Sequence, residues 1–184
     1  MDDRRLAVLA AVGLAVGGVF GLAGTFAPSA ALRGLAWGID GLALVMASAL
    51  LTLLYYRNNQ DLVAAGFLVF AIGEGLIVSG AAMDLAASVP SFGAGAGLWA
   101  VALALISVPR GVSTLIVRLL GTGTAILFAA TAGQIFMGTQ VLPTSVPLPF
   151  YAYPFFVATL FGWIWTLLRT ARPVDRSAAE RRSR

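Results

Sequence analysis

The amino-acid sequence predicts an all-α fold: a polytopic membrane protein built as a six-helix transmembrane bundle. Three observations predict it. The 184 residues are 59% hydrophobic and 11% charged, with a mean hydropathy of +0.90, where an average soluble domain carries roughly 25% charged residues. The apolar residues gather into runs near the ~20 residues that cross a ~30 Å hydrocarbon layer. The basic residues, all of them Arg, fall between these runs with a one-sided bias. No polar stretch is long enough for a second, soluble domain, so residues 1–168 form one transmembrane domain and 169–184 a basic tail.

The first span covers residues 6–27. Arg4 and Arg5 ahead of it and small residues after it imitate a signal peptide. The apolar run is nevertheless longer than the 7 to 15 residues of such signals, and Asp2 and Asp3 are atypical of them, so it reads as a retained helix. Span two covers 34–56 and carries Asp40; a tight polar turn, Arg57 to Asp61, leads into span three, 62–83, with Glu74 near its middle. Span four, 92–108, is the shortest, at the lower limit for a crossing, and a re-entrant segment is its alternative. Span five, 112–137, contains Arg118 and Gln134, and span six covers 150–168.

Six spans place Arg4, Arg5, Arg57, Arg110, Arg118 and the tail arginines on one side and only Arg33 on the other. Positive charge retained inside then puts both termini in the cytoplasm and the chain in the plasma (inner) membrane. Tyr55, Tyr56, Trp163 and Trp165 are expected at the inner interface, and Trp37, Trp99, Tyr151 and Tyr153 at the outer one, as two aromatic belts. Each successive pair of spans has a Gly-rich stretch, an outer loop with Pro28, Pro90 or Pro143, and a closing arginine at 57, 110 or 169. That pattern allows three pseudo-repeated helical hairpins in which Glu74 and Gln134 occupy equivalent places. Any hairpin protein with a one-sided arginine bias repeats its arginines in the same way, so the spacing does not require a duplication.

Missing residue types exclude whole chemistries. Without Cys or His there is no thiolate metal site and no Ser-His-Asp triad. Without Lys no Schiff base to retinal or pyridoxal phosphate can form. No catalytic residue, metal site or cofactor is expected, and an enzyme is disfavoured because no activated nucleophile is visible. "GAGAG" at 93–97 follows no strand and is assigned to an outer loop, not a nucleotide-binding turn.

The glycines and the membrane-embedded polar residues are the informative positions. Gly13, Gly17 and Gly21 recur every fourth residue, and Gly34 with Gly38 repeats the spacing. Such ridges let helix backbones approach in lipid, within one chain or between copies in a homo-oligomer. Asp40 lies ~9 Å and Glu74 ~14 Å inside their spans, and Gln134 lies within a turn of the same outer side. A charge near the bilayer centre costs at least ~2.5–3.5 kcal/mol, so such groups usually face a bundle interior or a wet cavity. Glu74 has two readings: a transport or proton-relay group, or a neutral hydrogen-bonding contact between helices. Pairing with Arg118 would have to cover a depth gap of ~10 Å, and Arg118 is expected to snorkel to the inner surface.

The proline-rich outer segment around Pro143, Pro147, Pro149 and Pro154 is expected to be a stiff cap. The arginine tail suits anionic lipid headgroups and not nucleic acid, lacking interleaved aromatics. The expected partner is therefore the lipid bilayer, together with a second copy or a larger membrane complex. Two functions remain open: permeation or coupled transport of protons, cations or a small solute centred on Glu74, or a non-catalytic accessory or assembly subunit.

Overall fold

The computed structural model describes residues 2–80 and 84–170, so the tail from 171 onward lies outside the described residues. Among the described residues six helices follow in order: α1 (Asp3–Thr25), α2 (Ala30–Arg57), α3 (Asp61–Gly80), α4 (Val89–Ser107), α5 (Leu115–Phe136) and α6 (Ala152–Thr170). All six expected spans are helices. The first five are long and apolar enough to cross a membrane. The sixth, with 19 residues, would rise ~28 Å. Each helix packs on its neighbours in sequence, and α6 closes the ring by touching α1 as well as α5.

Local signals set the boundaries. Asp2 caps α1 by accepting from the Arg5 amide at 2.7 Å, and Ser29 caps α2 through the Leu32 amide at 3.3 Å. After Arg57 the chain reverses at Asn59, whose φ of 56° is a left-handed conformation that Asn tolerates well. Asp84 accepts from the amides of Ala86 and Ala87 at 2.9 Å each, ordering the turn before α4. That helix begins earlier than expected because Pro90 serves in its first turn, where no N–H is required. Pro90 is thus helical, and α4 is long and apolar enough to cross a membrane. "GAGAG" at 93–97 is likewise part of α4 and not a loop.

Glycine contacts fix the register and show the helices running antiparallel. From Gly13, Gly17 and Gly21 on α1, a Cβ would meet Ala47, Leu44 and Asp40 on α2 respectively. Those three glycines are packing surface within the chain. Gly38 departs from the expectation, because a Cβ there would meet nothing within 4 Å; the close approach on α2 is made at Gly41, and Gly34 is only half-buried. A glycine series that the four-residue spacing did not reveal joins α3 to α4: Gly66 faces Ile106, Gly73 faces Leu98 and Trp99, and Gly80 faces Ser88 and Ser91. Its heptad period suits a left-handed crossing at a small angle.

The ring has a solid centre. Phe70 stacks on Trp99 with ring centroids 5.6 Å apart, and Phe156 of α6 stacks on Trp99 at 4.9 Å. Phe128 meets both Trp99 and Phe156 edge to face. Toward the other end, Phe67 stacks on Tyr55 and meets Trp163 edge to face. Trp99, Tyr153 and Trp163 are consequently core residues and not members of the aromatic belts, while Tyr56, Tyr151 and Trp165 stay exposed. The threonine hydroxyls Thr124, Thr131 and Thr159 in this apolar interior each donate to the carbonyl four residues back, whereas the buried Ser48 and Ser107 hydroxyls have no partner among the described residues.

Candidate functional site

Asp40 and Glu74 are brought together near the end of the bundle that carries Pro28 and Pro143. Asp40 sits about ten residues, or ~15 Å, along α2, and Glu74 about six residues, or ~9 Å, before the last described residue of α3. Because α2 and α3 run antiparallel, these offsets bring the carboxyl groups to one level. Asp40 leans on α1, where Cβ atoms on Gly17 and Gly21 would stand 3.2 Å from Oδ1 and 2.9 Å from Oδ2. Glu74 leans on α2, where a Cβ on Gly41 would stand 3.1 Å from Oε1. Glycine on the facing helix makes room for each carboxyl.

Both groups line one small cavity with Trp37, Phe92, Trp99 and Tyr153; Leu85, Ser88 and Pro143 border it toward the loops. About 40 Å³ of it is open to the centres of water molecules, where one water needs roughly 10–15 Å³. Glu74 is 1% exposed and Asp40 9%. Among the described residues, Oε2 of Glu74, Nε1 of Trp37 and Nε1 of Trp99 are buried in this lining without a hydrogen bond of good geometry, although the Trp99 N–H faces the Glu74 carboxyl. Unpaired buried polar atoms are costly, about 1–3 kcal/mol each, and mark places where a protein meets water or a ligand. No arginine among the described residues lines the cavity.

Arg118 and Gln134, named as polar-core candidates, lie elsewhere. Arg118 donates from Nε to the Ser107 carbonyl at 2.9 Å and from a terminal nitrogen to the Val108 carbonyl at 2.7 Å. It closes off the C-terminal carbonyls of α4 at the opposite end, so the pairing with Glu74 does not form and the side chain has a local structural task. Gln134 is half-buried near the end of α5 and does not line the cavity, so its proposed equivalence with Glu74 is not reproduced in space.

The walls are what sequence reasoning missed. Trp99 and Tyr153 were expected at an interface, yet Trp99 is 1% exposed. One signal was available: Gly73 beside Glu74, with Gly93 and Gly95 ahead of Trp99, marks two helices that approach closely there. A Cβ on Gly73 would stand 3.1 Å from the Trp99 ring. The proline-rich segment does act as a cap: Val141 is buried, Pro143 borders the cavity, and Phe150 meets Phe26 edge to face at 6.0 Å.

A second, wider recess of about 400 Å³ opens at the arginine end, lined by Arg4, Tyr55, Asn58, Gln60 and Thr166 among others. Leu44, Leu51, Phe67, Phe70, Phe156 and Leu160, all buried, fill the bundle between the two openings. Packed side chains thus separate the cavity at Glu74 from the recess at the arginine end. No family model, no curated protein and no solved structure matches this chain.

Proposed function

We propose that this is a non-enzymatic membrane transport protein in which Glu74, assisted by Asp40, takes up a proton or small cation in the cavity beneath the proline cap. One observation carries the reading: a carboxyl oxygen of Glu74 is buried without a hydrogen bond of good geometry and belongs to the lining of a cavity. The Trp99 N–H of α4 lies beside this carboxyl, and the cavity leaves room there for a further partner. The recess at the opposite end and the packed centre between them suit alternating access, in which the barrier rearranges around the site. The arginine asymmetry supports both termini lying in the cytoplasm and the capped end facing outward across the plasma membrane.

The test is flux in liposomes containing the purified chain. Glu74→Gln preserves shape and hydrogen-bonding capacity but removes the exchangeable charge, so the variant is expected to fold and assemble normally and to lose proton- or cation-linked flux. A folded variant whose flux equals the wild type for every ion that the wild type passes would reject the role of Glu74.

A second reading, an accessory subunit of a larger membrane complex, is supported by one feature. Gly38 on α2 and Gly75 on α3 leave open space where a Cβ would be, a small-residue surface of the kind on which another helix packs. Wild-type liposomes without flux, together with recovery of the chain in a larger complex from native membranes, would favour it.

A further inference from the structure

We propose that the Asp40–Glu74 cavity is built for a small organic ammonium ion of methylammonium size, a ligand class that rests on the transport reading for its movement but not for its binding.

Charge narrows the class first. Among the described residues the cavity presents two carboxyl groups and no arginine, and Arg33, the nearest cation in sequence, lies over the Trp37 ring at 5.9 Å without lining the cavity. An anion would meet two carboxyl groups with no counter-charge. A neutral solute would make no use of two acids set side by side, whereas a cation can be held by either once it has given up its proton.

The walls then separate organic from inorganic cations. Trp37, Phe92, Trp99 and Tyr153 all line the space, and aromatic rings attract a cation held within about 6 Å of their centroids. Hard metal cations such as Ca²⁺ and Mg²⁺ take about six or more oxygen ligands. Among the described lining residues the side-chain oxygens belong to Asp40, Glu74, Ser88 and Tyr153, and the four aromatic side chains make the wall richer in ring carbon than the all-oxygen shell of such an ion. An ammonium group needs only two or three acceptors and tolerates hydrocarbon and ring carbon around its substituent. Glu74 Oε2, buried and without a hydrogen bond of good geometry, is a ready acceptor.

Volume limits the substituent. The space of about 40 Å³ corresponds to roughly three water-sized groups. That admits methylammonium or ethylammonium and excludes a quaternary tetraethylammonium ion.

The full-length protein in lipid nanodiscs allows a direct test through the fluorescence of Trp37 and Trp99. Titration with methylammonium at constant ionic strength should give a saturable change, with no saturable change for Na⁺, K⁺ or tetraethylammonium. Glu74→Gln and Asp40→Asn should each weaken the apparent affinity by about tenfold or more, as loss of a charge-assisted contact does; Gln134→Ala, outside the cavity, should leave it unchanged. A second measurement needs no variant: methylammonium, and not K⁺, should protect Glu74 from modification by a hydrophobic carbodiimide, read by mass spectrometry. An equal response to K⁺, no saturable response, or unprotected Glu74 at saturating methylammonium would overturn the proposal. Saturable methylammonium binding without flux would keep this ligand and reject transport, whereas proton flux without methylammonium binding would do the reverse.

Discussion

Gly21 and Asp40 meet across the α1–α2 interface, where a Cβ on Gly21 would stand 2.9 Å from Oδ2 and 3.2 Å from Cγ of the carboxyl. The obstacle is the far end of a side chain that can rotate. Gly21→Ala should therefore leave melting within a few degrees of wild type while displacing Asp40 and altering cation response. Paired melting and flux measurements check this; a silent flux assay would mean that the position of Asp40 does not matter.

Gly13, on the same stripe, should behave differently. There a Cβ would meet the Ala43 backbone carbonyl oxygen at 3.0 Å and the Ala47 Cβ at 2.9 Å, and neither can rotate aside. Gly13→Ala should destabilise by about 1–3 kcal/mol, the usual range for overpacking. Gly17→Leu, driven into Leu44, should do so more strongly, whereas Leu14→Ile should cost under about 1.5 kcal/mol. Thermal unfolding in a lipid–detergent mixture ranks the three. Equal stability of Gly17→Leu and Leu14→Ile would remove the stripe as the contact face.

Arg118→Ala should separate stability from function. It leaves the Ser107 and Val108 carbonyls without their donors, a loss of about 1–3 kcal/mol for two hydrogen bonds from a charged donor at a partly exposed site. The ammonium response at the distant cavity should be retained. Loss of that response in a folded Arg118→Ala protein would show that the two ends are energetically coupled.

Topology is testable with reporter fusions. Gln60 lies in the α2–α3 turn and Pro147 in the segment between α5 and α6, at opposite ends of the bundle, so reporters there should indicate opposite sides, with Gln60 cytoplasmic. A shared side would reject a six-span insertion.

Several features were legible in the amino-acid sequence by itself. Hydropathy along the chain located all six helices to within a few residues, because a helix long enough to cross an apolar layer must be apolar along its whole length. Glycines spaced by four marked Gly13, Gly17 and Gly21 as a contact face, and the rarity of carboxyl groups in apolar runs singled out Asp40 and Glu74. The rotation of each helix about its own axis was decided only by tertiary packing. In water the buried face is apolar and the other polar, whereas a helix in lipid can be apolar on both, so the periodic signal weakens. Leu42 is 70% exposed and Leu44 is fully buried, yet nothing in the residue type distinguishes them. The same ambiguity hid Trp99 in the core and left Gln134 beside Glu74 as an apparent equal. Only the antiparallel register of α2, α3 and α4, set where Gly41 and Gly73 let their neighbours close in, joins two acids and a ring of aromatics into one cavity and turns Arg118 toward the end of α4.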